Sequence, residues 1–240
     1  MADTPLLQYK KLMERTKELT ILQSIESIMG WDMETMMPPK AINLRSQQLS
    51  LLSVIDHKMS IDPETGKLLQ IIGRHQQRDK LTVLQKRNVY LIKKRYDEQT
   101  KLPERLVAET AKQEAIAIDV WKKAKKAKKF QTFRPELEKI LELKKQAAEI
   151  LMKVKGTKTP YDALVDIFEP KMTANEITNI FEELRTGLVS LLRKCVAASK
   201  QPDVSVLKRK IPIDTQRKIA KALADFVGYD VTSKKAGGEE

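Results

Sequence analysis

Histidine and cysteine, the side chains that most often bind transition metals or act as nucleophiles, are rare in this sequence. They occur only as His57, His75 and Cys195. Neither histidine begins a His-Glu-x-x-His pair, which would place two metal ligands on one face of a helix. Cys195 follows Leu192 in a helical apolar pattern, so we expect a small core residue there and not a nucleophile. Both histidines are expected on helix surfaces, and the sequence predicts neither a catalytic residue nor a metal ligand in this chain.

Lysine supplies the other chemically notable feature, a dense run of positive charge between residues 122 and 129. The spacing of Lys122, Lys125, Lys126 and Lys129 places them on one helical face, which would suit a phosphate-binding stripe. A nucleic-acid surface usually adds arginines that read base edges or aromatic rings that stack on bases. Few of these lie close to the run, so a solvated helix face is the favoured interpretation. The nearby candidates are Trp121, Phe130, Phe133 and Arg134.

The composition excludes several classes of protein. The 240 residues carry a net charge of +13, 41% of them are hydrophobic, and there are 8 Gly and 10 Pro, which is typical of a folded chain and not of a collagen-like or disordered one. The glycines form no nucleotide-binding pattern. One cysteine makes no intrachain disulfide, and the sequence has neither an apolar leader nor a run of about 18 apolar residues. We therefore expect a cytoplasmic protein without a membrane span, and the charge leaves an anionic partner open.

The apolar residues that must form a core recur at steps of three and four along almost the whole chain, which predicts an all-α fold. We expect a single domain of about eight helices over residues 1–230. A disordered tail should follow over residues 231–240, where apolar residues are almost absent and two glycines are adjacent. The stretch from Val204 to Ile213 is the one place where the pattern permits a strand, although Pro212 interrupts it.

Prolines, glycines and capping residues predict where the helices begin and end. The first helix should stop near Gly30, and Pro38 and Pro39 should lie in the loop before the second helix. The helix that carries the lysine run should extend to about Lys129, and a later one should end around Gly156. Further helices should begin at Asp62-Pro63, at Pro103, at Arg134-Pro135, at Thr159-Pro160, at a capping box formed by Thr173 and Glu176, and at Asp214.

Two segments of the sequence resemble the signatures of a known family. The first is Trp31-Asp32-Met33-Glu34-Thr35-Met36-Met37-Pro38-Pro39, followed by Arg45 and Gln48. The second is Pro160-Tyr161-Asp162-Ala163-Leu164-Val165-Asp166, followed by Phe168-Glu169-Pro170. Both are similar, in the same order, to segments of the carboxypeptidase Taq family of thermostable metallocarboxypeptidases. Further matches lie at Trp121, which the basic stretch follows, and at Glu183-Leu184-Arg185, and the resemblance extends from about Tyr9 to Asp230.

The resemblance also indicates which residues carry the signature, and we interpret these residues as structural. Trp31 is expected to pack in a helix corner, and Asp32 and Glu34 are expected to cap the N-termini of neighbouring helices. The signature residues are Trp31, Asp32, Glu34, Thr35, Pro38, Pro39, Tyr161, Asp162, Glu169 and Pro170.

Members of this family are mostly helical, usually homodimeric enzymes that release C-terminal amino acids from peptides with the help of zinc or cobalt. The resemblance implies that the metal ligands, a His-Glu-x-x-His helix and a downstream glutamate, belong to the second half of the family's chain, and this sequence stops before that half. The N-terminal helices are expected to wall and roof the substrate groove. We therefore expect the N-terminal half of a metallocarboxypeptidase, without a cofactor of its own and inactive alone. Its expected partners are the missing catalytic half or a homodimer partner, and a peptide substrate in the complete enzyme.

Two other hypotheses remain open at this point. The first is a non-catalytic basic helical module that binds an anionic partner such as RNA through the lysine run, with an affinity that falls steeply with salt. The second is a generic helical bundle whose resemblance is coincidental. Packing distinguishes a half-enzyme from these, because a half-enzyme should expose a contiguous apolar patch where the missing half docks.

Overall fold

The computed structural model describes residues 5–74 and 79–229. Within these ranges the chain forms nine α-helices, one 3₁₀ helix and no strand, which confirms the all-α prediction. No helix in the same ranges is both long and apolar enough to span a membrane. His75 and the predicted tail over 231–240 lie outside the described residues. The helices are α1 (Pro5–Thr35), α2 (Ile42–Ser60), α3 (Pro63–Gly73), α4 (Val83–Gln99), α5 (Glu104–Ala127), α6 (Phe130–Lys155), α7 (Pro160–Phe168), α8 (Ala174–Ala197), the 3₁₀ helix (Ser205–Lys208) and α9 (Ile213–Phe226).

The chain forms two compact units that divide between Asn179 and Ile180. The first unit contains α1 to α7 and the beginning of α8, and the second contains the rest of α8, the 3₁₀ helix and α9. The boundary lies inside the continuous helix α8. The predicted domain limit at residue 230 stays a prediction.

The core of the first unit forms where α1, α3 and α4 meet. Leu12 of α1 is completely buried against apolar residues of α3, and Tyr9, Ile92 and Tyr96 lie at the edge of this cluster. The remaining helices extend the unit, because α2 packs against α1 and α5 while α6 packs against α5 and α7. The buried cluster consists of Leu12, Leu68, Leu69, Ile72 and Leu81.

Local signals set several helix ends as predicted. Asp62 accepts a hydrogen bond of 2.7 Å from the backbone N–H of Glu64 at the start of α3, and Gly156 ends α6 in the left-handed conformation with φ 68°. The capping box at the start of α8 is confirmed. The N–H of Glu176 donates to Oγ1 of Thr173 at 3.3 Å, and the N–H of Thr173 donates to Oε2 of Glu176 at 2.8 Å.

Two predicted helix boundaries were wrong. The first helix, α1, continues through Gly30 to Thr35, because one glycine costs a helix only about 1 kcal/mol and the next prolines lie further along. The sixth helix begins at Phe130 and contains Pro135. It starts early because Lys128 adopts the left-handed conformation, with φ 54°, and ends α5 at that point. Pro135 is the sixth residue of α6, so it has no N–H to donate to the carbonyl of Gln131, and the helix lacks that hydrogen bond.

The segment between α8 and α9 also differs from the prediction. Asp203 accepts a hydrogen bond of 2.8 Å from the N–H of Ser205 and closes the start of a 3₁₀ helix, so the stretch from Val204 to Ile213 forms no strand. Asp214 makes no N-cap hydrogen bond, because α9 begins at Ile213 and Pro212 occupies the N-cap position. The carboxylate of Asp214 lies in the first turn of α9, and its Oδ1 is 3.1 Å from Nη1 of Arg217. A negative charge at this position also interacts favourably with the positive end of the helix dipole.

Two predictions of burial are corrected. His57 is 2% exposed, and its Nδ1 lies 3.2 Å from Oε1 of Gln99, because α2 packs against α4. Cys195 is exposed and is no core residue. Its apolar helix face is present as predicted, but the described part of the second unit places nothing over it.

Truncation of Leu12 tests the core of the first unit. We expect Leu12→Ala to lower the free energy of unfolding by about 2–5 kcal/mol, because the substitution removes buried methyl groups and leaves a cavity beside Leu68 and Ile72. Urea unfolding followed by tryptophan fluorescence measures this change. The signal belongs to the first unit, since Trp31 and Trp121 are the two tryptophans of the sequence.

The matched control is Leu7→Ala on the same helix, where the leucine is 42% exposed. We expect this change to cost less than about 1 kcal/mol. Equal losses in the two variants would contradict the assignment of Leu12 to the core.

Candidate functional site

The two signature segments occupy two corners of the first unit. We call residues 29–48 the α1–α2 corner, since α1 ends and α2 begins there. We call residues 155–176 the α7 corner, which joins the end of α6, all of α7 and the start of α8. Both corners consist of helix ends, where backbone groups without helical partners must find other ones.

One guanidinium group organises the α1–α2 corner. Arg45, in the first turns of α2, donates hydrogen bonds to the carbonyl of Met29 at 2.6 Å, to the carboxylate of Asp32 at 2.5 Å and to Oε1 of Gln48 at 3.1 Å. Its side chain is 15% exposed, so the ion pair with Asp32 is partly shielded from water. The planar fork of arginine fits such a three-way arrangement better than the point charge of lysine. Arg45 therefore fixes the last turns of α1 to the start of α2.

The predicted packing of the α1–α2 corner is corrected in three respects. Trp31 is 61% exposed and does not pack in a helix corner, because α1 stays helical past this residue and the ring lies on its open side. Asp32 pairs with Arg45 and caps no helix. Glu34 caps no helix either, since its carboxylate lies 2.7 Å from the ammonium group of Lys122 and joins α1 to α5.

The remaining signature residues of this corner complete the turn between the helices. Oγ1 of Thr35 donates to the carbonyl of Trp31 at 2.7 Å. Pro38 and Pro39 lie in the loop between α1 and α2 as predicted, and the N–H of Ala41 donates to the carbonyl of Pro38 at 2.9 Å. A structural role for the segment stays a prediction.

Two aspartates one helical turn apart organise the α7 corner. Asp162 accepts hydrogen bonds from the N–H of Ala174 at 2.8 Å and from Oγ1 of Thr159 at 2.7 Å. Asp166 accepts one from the N–H of Lys171 at 2.9 Å. Positions four residues apart share one face of a helix, so the two carboxylates hold Lys171, in the middle of the loop between α7 and α8, and Ala174, at the start of α8.

Asp166 also binds two lysines from other helices. Its Oδ2 lies 2.7 Å from Nζ of Lys94 on α4 and 2.9 Å from Nζ of Lys155 at the end of α6. The side chain of Lys155 is 6% exposed, and its ammonium group donates further to the carbonyl of Ala163 at 3.0 Å and lies 3.6 Å from Oε1 of Glu98. A buried ammonium group is tolerated when it is paired and hydrogen-bonded in this way. The cluster therefore joins α4, α6 and α7.

The electrostatics of the α7 corner keep both aspartates ionised. Burial raises the pKa of Asp166, but the hydrogen bonds from Lys94, from the N–H of Lys171 and from Lys155 outweigh burial and lower the pKa to about 2. The pKa of Asp162 is also lowered, first by the backbone N–H of Ala174 and then by the hydroxyl of Thr159. Burial lowers the pKa of Lys94, but the hydrogen bond to Asp166 and the negative charges of Asp166 and Glu98 outweigh burial and raise the pKa. The pKa shifts of Asp162, Asp166 and Lys94 thus follow from the hydrogen bonds and ion pairs that these groups make with one another and with the backbone.

Of the signature residues predicted in the α7 corner, Asp162 is one of the two aspartates that hold it together, whereas Tyr161, Glu169 and Pro170 lie at the surface; Tyr161 is 66% exposed. The sequence did not single out Asp166, Lys94 or Lys155. The spacing of Asp162 and Asp166 by one turn was a usable signal for a pair on one face. No local signal distinguishes Lys94 or Lys155 from the other basic residues, because their partner is distant in sequence.

The predicted lysine stripe on α5 is corrected as well. Lys129 lies beyond the end of α5, because the helix stops at Ala127, and so it does not share the helix face. Lys122 pairs with Glu34, as described above, and the ammonium group of Lys125 lies 4.7 Å from the centre of the Trp121 ring. The lysine face of α5 therefore lacks Lys129, and two of its lysines already contact other side chains of the chain.

The described residues do not fit a catalytic metal. Among residues 5–74 and 79–229, no three side chains of histidine, cysteine, aspartate or glutamate form a group that could hold a metal ion. Asp32, Asp162 and Asp166 are instead paired with arginine, lysine or backbone N–H groups. The resemblance implies zinc or cobalt for the complete enzyme. Residues 5–74 and 79–229 contain no group of side chains that would bind either ion.

Replacement of Arg45 tests the α1–α2 corner. We expect Arg45→Lys to lower the free energy of unfolding of the first unit by about 1–2 kcal/mol, because lysine keeps the charge but loses the fork that reaches Met29, Asp32 and Gln48 together. The control is Arg105→Lys, whose arginine is 83% exposed and should change stability by less than about 0.5 kcal/mol. Two equal changes in urea unfolding would refute the role of Arg45.

Replacement of Asp166 tests the α7 corner through pH. The pKa of this group is lower in the folded chain, about 2, than its usual value of 3.8, so ionisation stabilises the fold. The stabilisation, about 2 kcal/mol, is fully present above about pH 4 and is lost as the pH falls towards 2. We expect Asp166→Asn to be less stable than the natural chain at pH 7. The difference should shrink by about 1.5 kcal/mol between pH 5 and pH 2.5, measured by urea unfolding.

Asp97→Asn is the matched control on α4. Its carboxylate is 46% exposed and pairs with Lys93 one turn away on the same helix, so we expect a change of less than about 1 kcal/mol. A stability difference for Asp166→Asn that stays constant over the pH range would show that ionisation of Asp166 contributes nothing to the fold.

Comparison with known proteins places this arrangement in a family. The profile of the carboxypeptidase Taq (M32) metallopeptidases matches residues 11–238. The chain is 33% identical to thermostable carboxypeptidase 1 of Thermus thermophilus over 235 residues, which are 95% of this chain and 46% of that protein. It is 26% identical to carboxypeptidase 1 of Bacillus subtilis, with 92% of this chain and 43% of that protein covered.

Solved structures agree with the sequence comparison. The crystal structure of BsuCP superimposes with a TM-score of 0.84 at 26% identity and covers 93% of this chain and 44% of that one. The M32 carboxypeptidase of Deinococcus radiodurans superimposes with a TM-score of 0.73 at 29% identity, again over 93% of this chain and 44% of that one. The chain thus spans less than half the length of the relatives it matches. By the match over residues 11–238 and by its fold, this chain belongs to the carboxypeptidase Taq (M32) metallopeptidase family and corresponds to the N-terminal half of its members.

Proposed function

We propose that this chain is the N-terminal half of a metal-dependent carboxypeptidase, that its helices form walls of the peptide-binding groove, and that it is inactive without the second half. The observation that carries the proposal is the family match over almost the whole chain, combined with relatives of which that match covers less than half. The Thermus thermophilus relative is named a thermostable carboxypeptidase. Release of C-terminal amino acids from peptides is therefore the activity proposed for the complete protein.

The chemistry of the described residues supports this division of roles. Hydrolysis of a peptide by a metal enzyme needs a cation held by about three protein ligands, with an open position for water. Residues 5–74 and 79–229 supply no such group. The ligands are proposed to come from the second half, and the first half is proposed to shape and shield the groove.

Exposed apolar surface on α1 also supports the proposal. Ile21, Ile25, Ile28 and Trp31 recur at steps of three and four, and each is between 44% and 64% exposed. Monomeric proteins seldom leave a contiguous apolar stripe in water. Burial of each half-exposed side chain would contribute about 1 kcal/mol, so a second half that covered the stripe would be stabilised by it. This surface is what we expect of a half-enzyme.

The alternative function, a basic module that binds an anionic partner such as RNA, has weaker support. Phosphate recognition needs lysines that are available to neutralise phosphates. In the run on α5, Lys122 is paired with Glu34 and Lys125 with the Trp121 ring, and Lys123 is paired with an aspartate one turn away. We therefore favour the peptidase role.

Reconstitution tests the proposed function. We expect the purified 240-residue chain to release no amino acid from a peptide in the presence of zinc or cobalt. We expect a chimera of residues 1–229 with the second half of the Thermus thermophilus relative to release C-terminal amino acids in a metal-dependent way. Mass spectrometry of the peptide products over time measures both reactions.

The control is the same chimera with the glutamate of its His-Glu-x-x-His helix changed to glutamine, which should fold equally well and lose the activity. Metal-dependent release by the 240-residue chain alone would contradict the proposed inactivity. A chimera that folds cooperatively and binds metal but releases nothing would contradict the proposed role of this chain in the groove.

A further inference from the structure

The connection between α5 and α6 concentrates positive charge without any acidic residue. Of the 14 residues from Trp121 to Arg134, seven are lysine or arginine and none is aspartate or glutamate. We call residues 121–134 the basic turn. It carries +7 of the net charge of +13 that the whole chain carries, so the charge of this protein is concentrated at one place and not spread evenly.

The basic turn forms the end of a helical hairpin. The helices α5 and α6 pack against each other, and Lys128, with its left-handed backbone, ends α5 just before α6 begins at Phe130. The two helices have 24 and 26 residues, which corresponds to lengths of about 36 and 39 Å. All eight residues from 125 to 132 are exposed, so the hairpin presents its charge at its end.

Three lysines of the basic turn are available to a partner. Lys126, Lys128 and Lys129 are exposed, and within residues 5–74 and 79–229 their ammonium groups make no hydrogen bond, ion pair or ring contact. The lysines that precede them on α5 already contact a glutamate, an aspartate and a tryptophan ring. An anionic partner would therefore bind the end of the hairpin and not the side of α5.

Aromatic rings lie beside these lysines. Phe130 is 58% exposed, and its ring packs edge-on against that of Phe133, with the ring centres 6.4 Å apart and the planes at 73°. Trp121 is 43% exposed. Lysine with exposed phenylalanine and tryptophan is the combination that proteins use at the boundary between lipid headgroups and acyl chains.

The geometry of the rings favours a lipid surface over a nucleic acid. Single-stranded nucleic acids stack their bases on open aromatic faces, but Lys125 covers a face of Trp121, and the edge-on pair of Phe130 and Phe133 uses a face of one of its rings. Arginine reads base edges with its planar fork, but Arg134 pairs with a glutamate at 2.7 Å. A lipid surface needs only point charges at its headgroups and an apolar side chain that reaches below them.

We propose that the basic turn binds the surface of an anionic lipid bilayer, with Lys126, Lys128 and Lys129 at the headgroups and Phe130 at the boundary of the acyl chains. In the part of the chain that the structure describes no helix could span a membrane, and attachment to the surface requires none. The attachment combines electrostatic attraction with the burial of an apolar ring, so it is reversible and weakens as the salt concentration rises. This function is separate from peptide hydrolysis.

Co-sedimentation of the purified 240-residue chain with lipid vesicles tests the proposal. One set of vesicles contains phosphatidylcholine with about a third of phosphatidylserine, and the other contains phosphatidylcholine alone. Both are used at about 0.15 M salt, where charges more than about 8 Å apart are largely screened. We expect the chain to bind the anionic vesicles at least tenfold more tightly than the neutral ones.

Two triple variants separate the basic turn from the net charge of the chain. The first replaces its free lysines by Lys126→Gln, Lys128→Gln and Lys129→Gln, and we expect it to bind the anionic vesicles at least tenfold more weakly. The matched control removes the same charge from three exposed lysines of the second unit and should change the affinity less than threefold. Its substitutions are Lys200→Gln, Lys208→Gln and Lys210→Gln.

A second pair of variants tests the apolar contact. Phe130→Ala should weaken binding to the anionic vesicles at least threefold, because the ring no longer enters the acyl boundary. The control is Phe168→Ala, whose ring is 82% exposed at the end of α7 and should not contribute. Urea unfolding of the triple variant of the basic turn should match that of the natural chain, since its three lysines contact no other side chain of the described residues.

Several results would each overturn the proposal: no preference for anionic vesicles, equal losses in the two triple variants, or full binding by Phe130→Ala. A labelled single-stranded RNA serves as the competing anion at the same salt concentration. We expect the RNA to bind at least tenfold more weakly than the anionic vesicles, with both concentrations counted as accessible phosphate. RNA binding that is tighter than vesicle binding, and that the triple variant of the basic turn loses, would replace the lipid surface by a nucleic acid.

Discussion

The carboxylate of Asp166 is the single group on which the arrangement of the first unit most depends. It accepts charge-assisted hydrogen bonds from Lys94 of α4 and Lys155 of α6, while it holds the loop after α7 through the backbone N–H of Lys171. Because Lys155 is almost completely buried, removal of its partner would leave a charge in a medium that solvates it poorly. The carboxylate thus fixes the mutual positions of three helices with one set of short contacts.

Several residues of the family signature join helix ends in the described structure. Arg45 secures the end of α1 to α2, and Asp162 holds the start of α8 to the start of α7. Each of these groups satisfies backbone atoms at helix ends that would otherwise lack partners. The charged side chains of the two segments therefore fix the angles between the helices that they join. That use fits a half-enzyme that shapes a groove for ligands supplied by another segment.

The two units differ in how much of their apolar surface is buried. The first has a buried cluster around Leu12 and a network of ion pairs, so it holds its helices together by its own contacts. The second has well-formed amphipathic helices whose apolar faces remain in water. A fold whose core is shared between two halves of a sequence produces this contrast, because neither half can bury all of its apolar surface alone.

The sequence by itself determined the all-α fold, the resemblance to the family and many helix ends, such as the capping box of Thr173 and Glu176. These features depend on residues within about four positions of each other, so local spacing contains the information. Only the tertiary structure decided that His57 is buried, that Trp31 is exposed, and that Lys155 pairs with Asp166. The partners of such groups lie on other helices, and identical local patterns can face the core or the solvent. Long-range packing alone selects between these outcomes, which is why spacing predicted the helices and not the contacts that hold them.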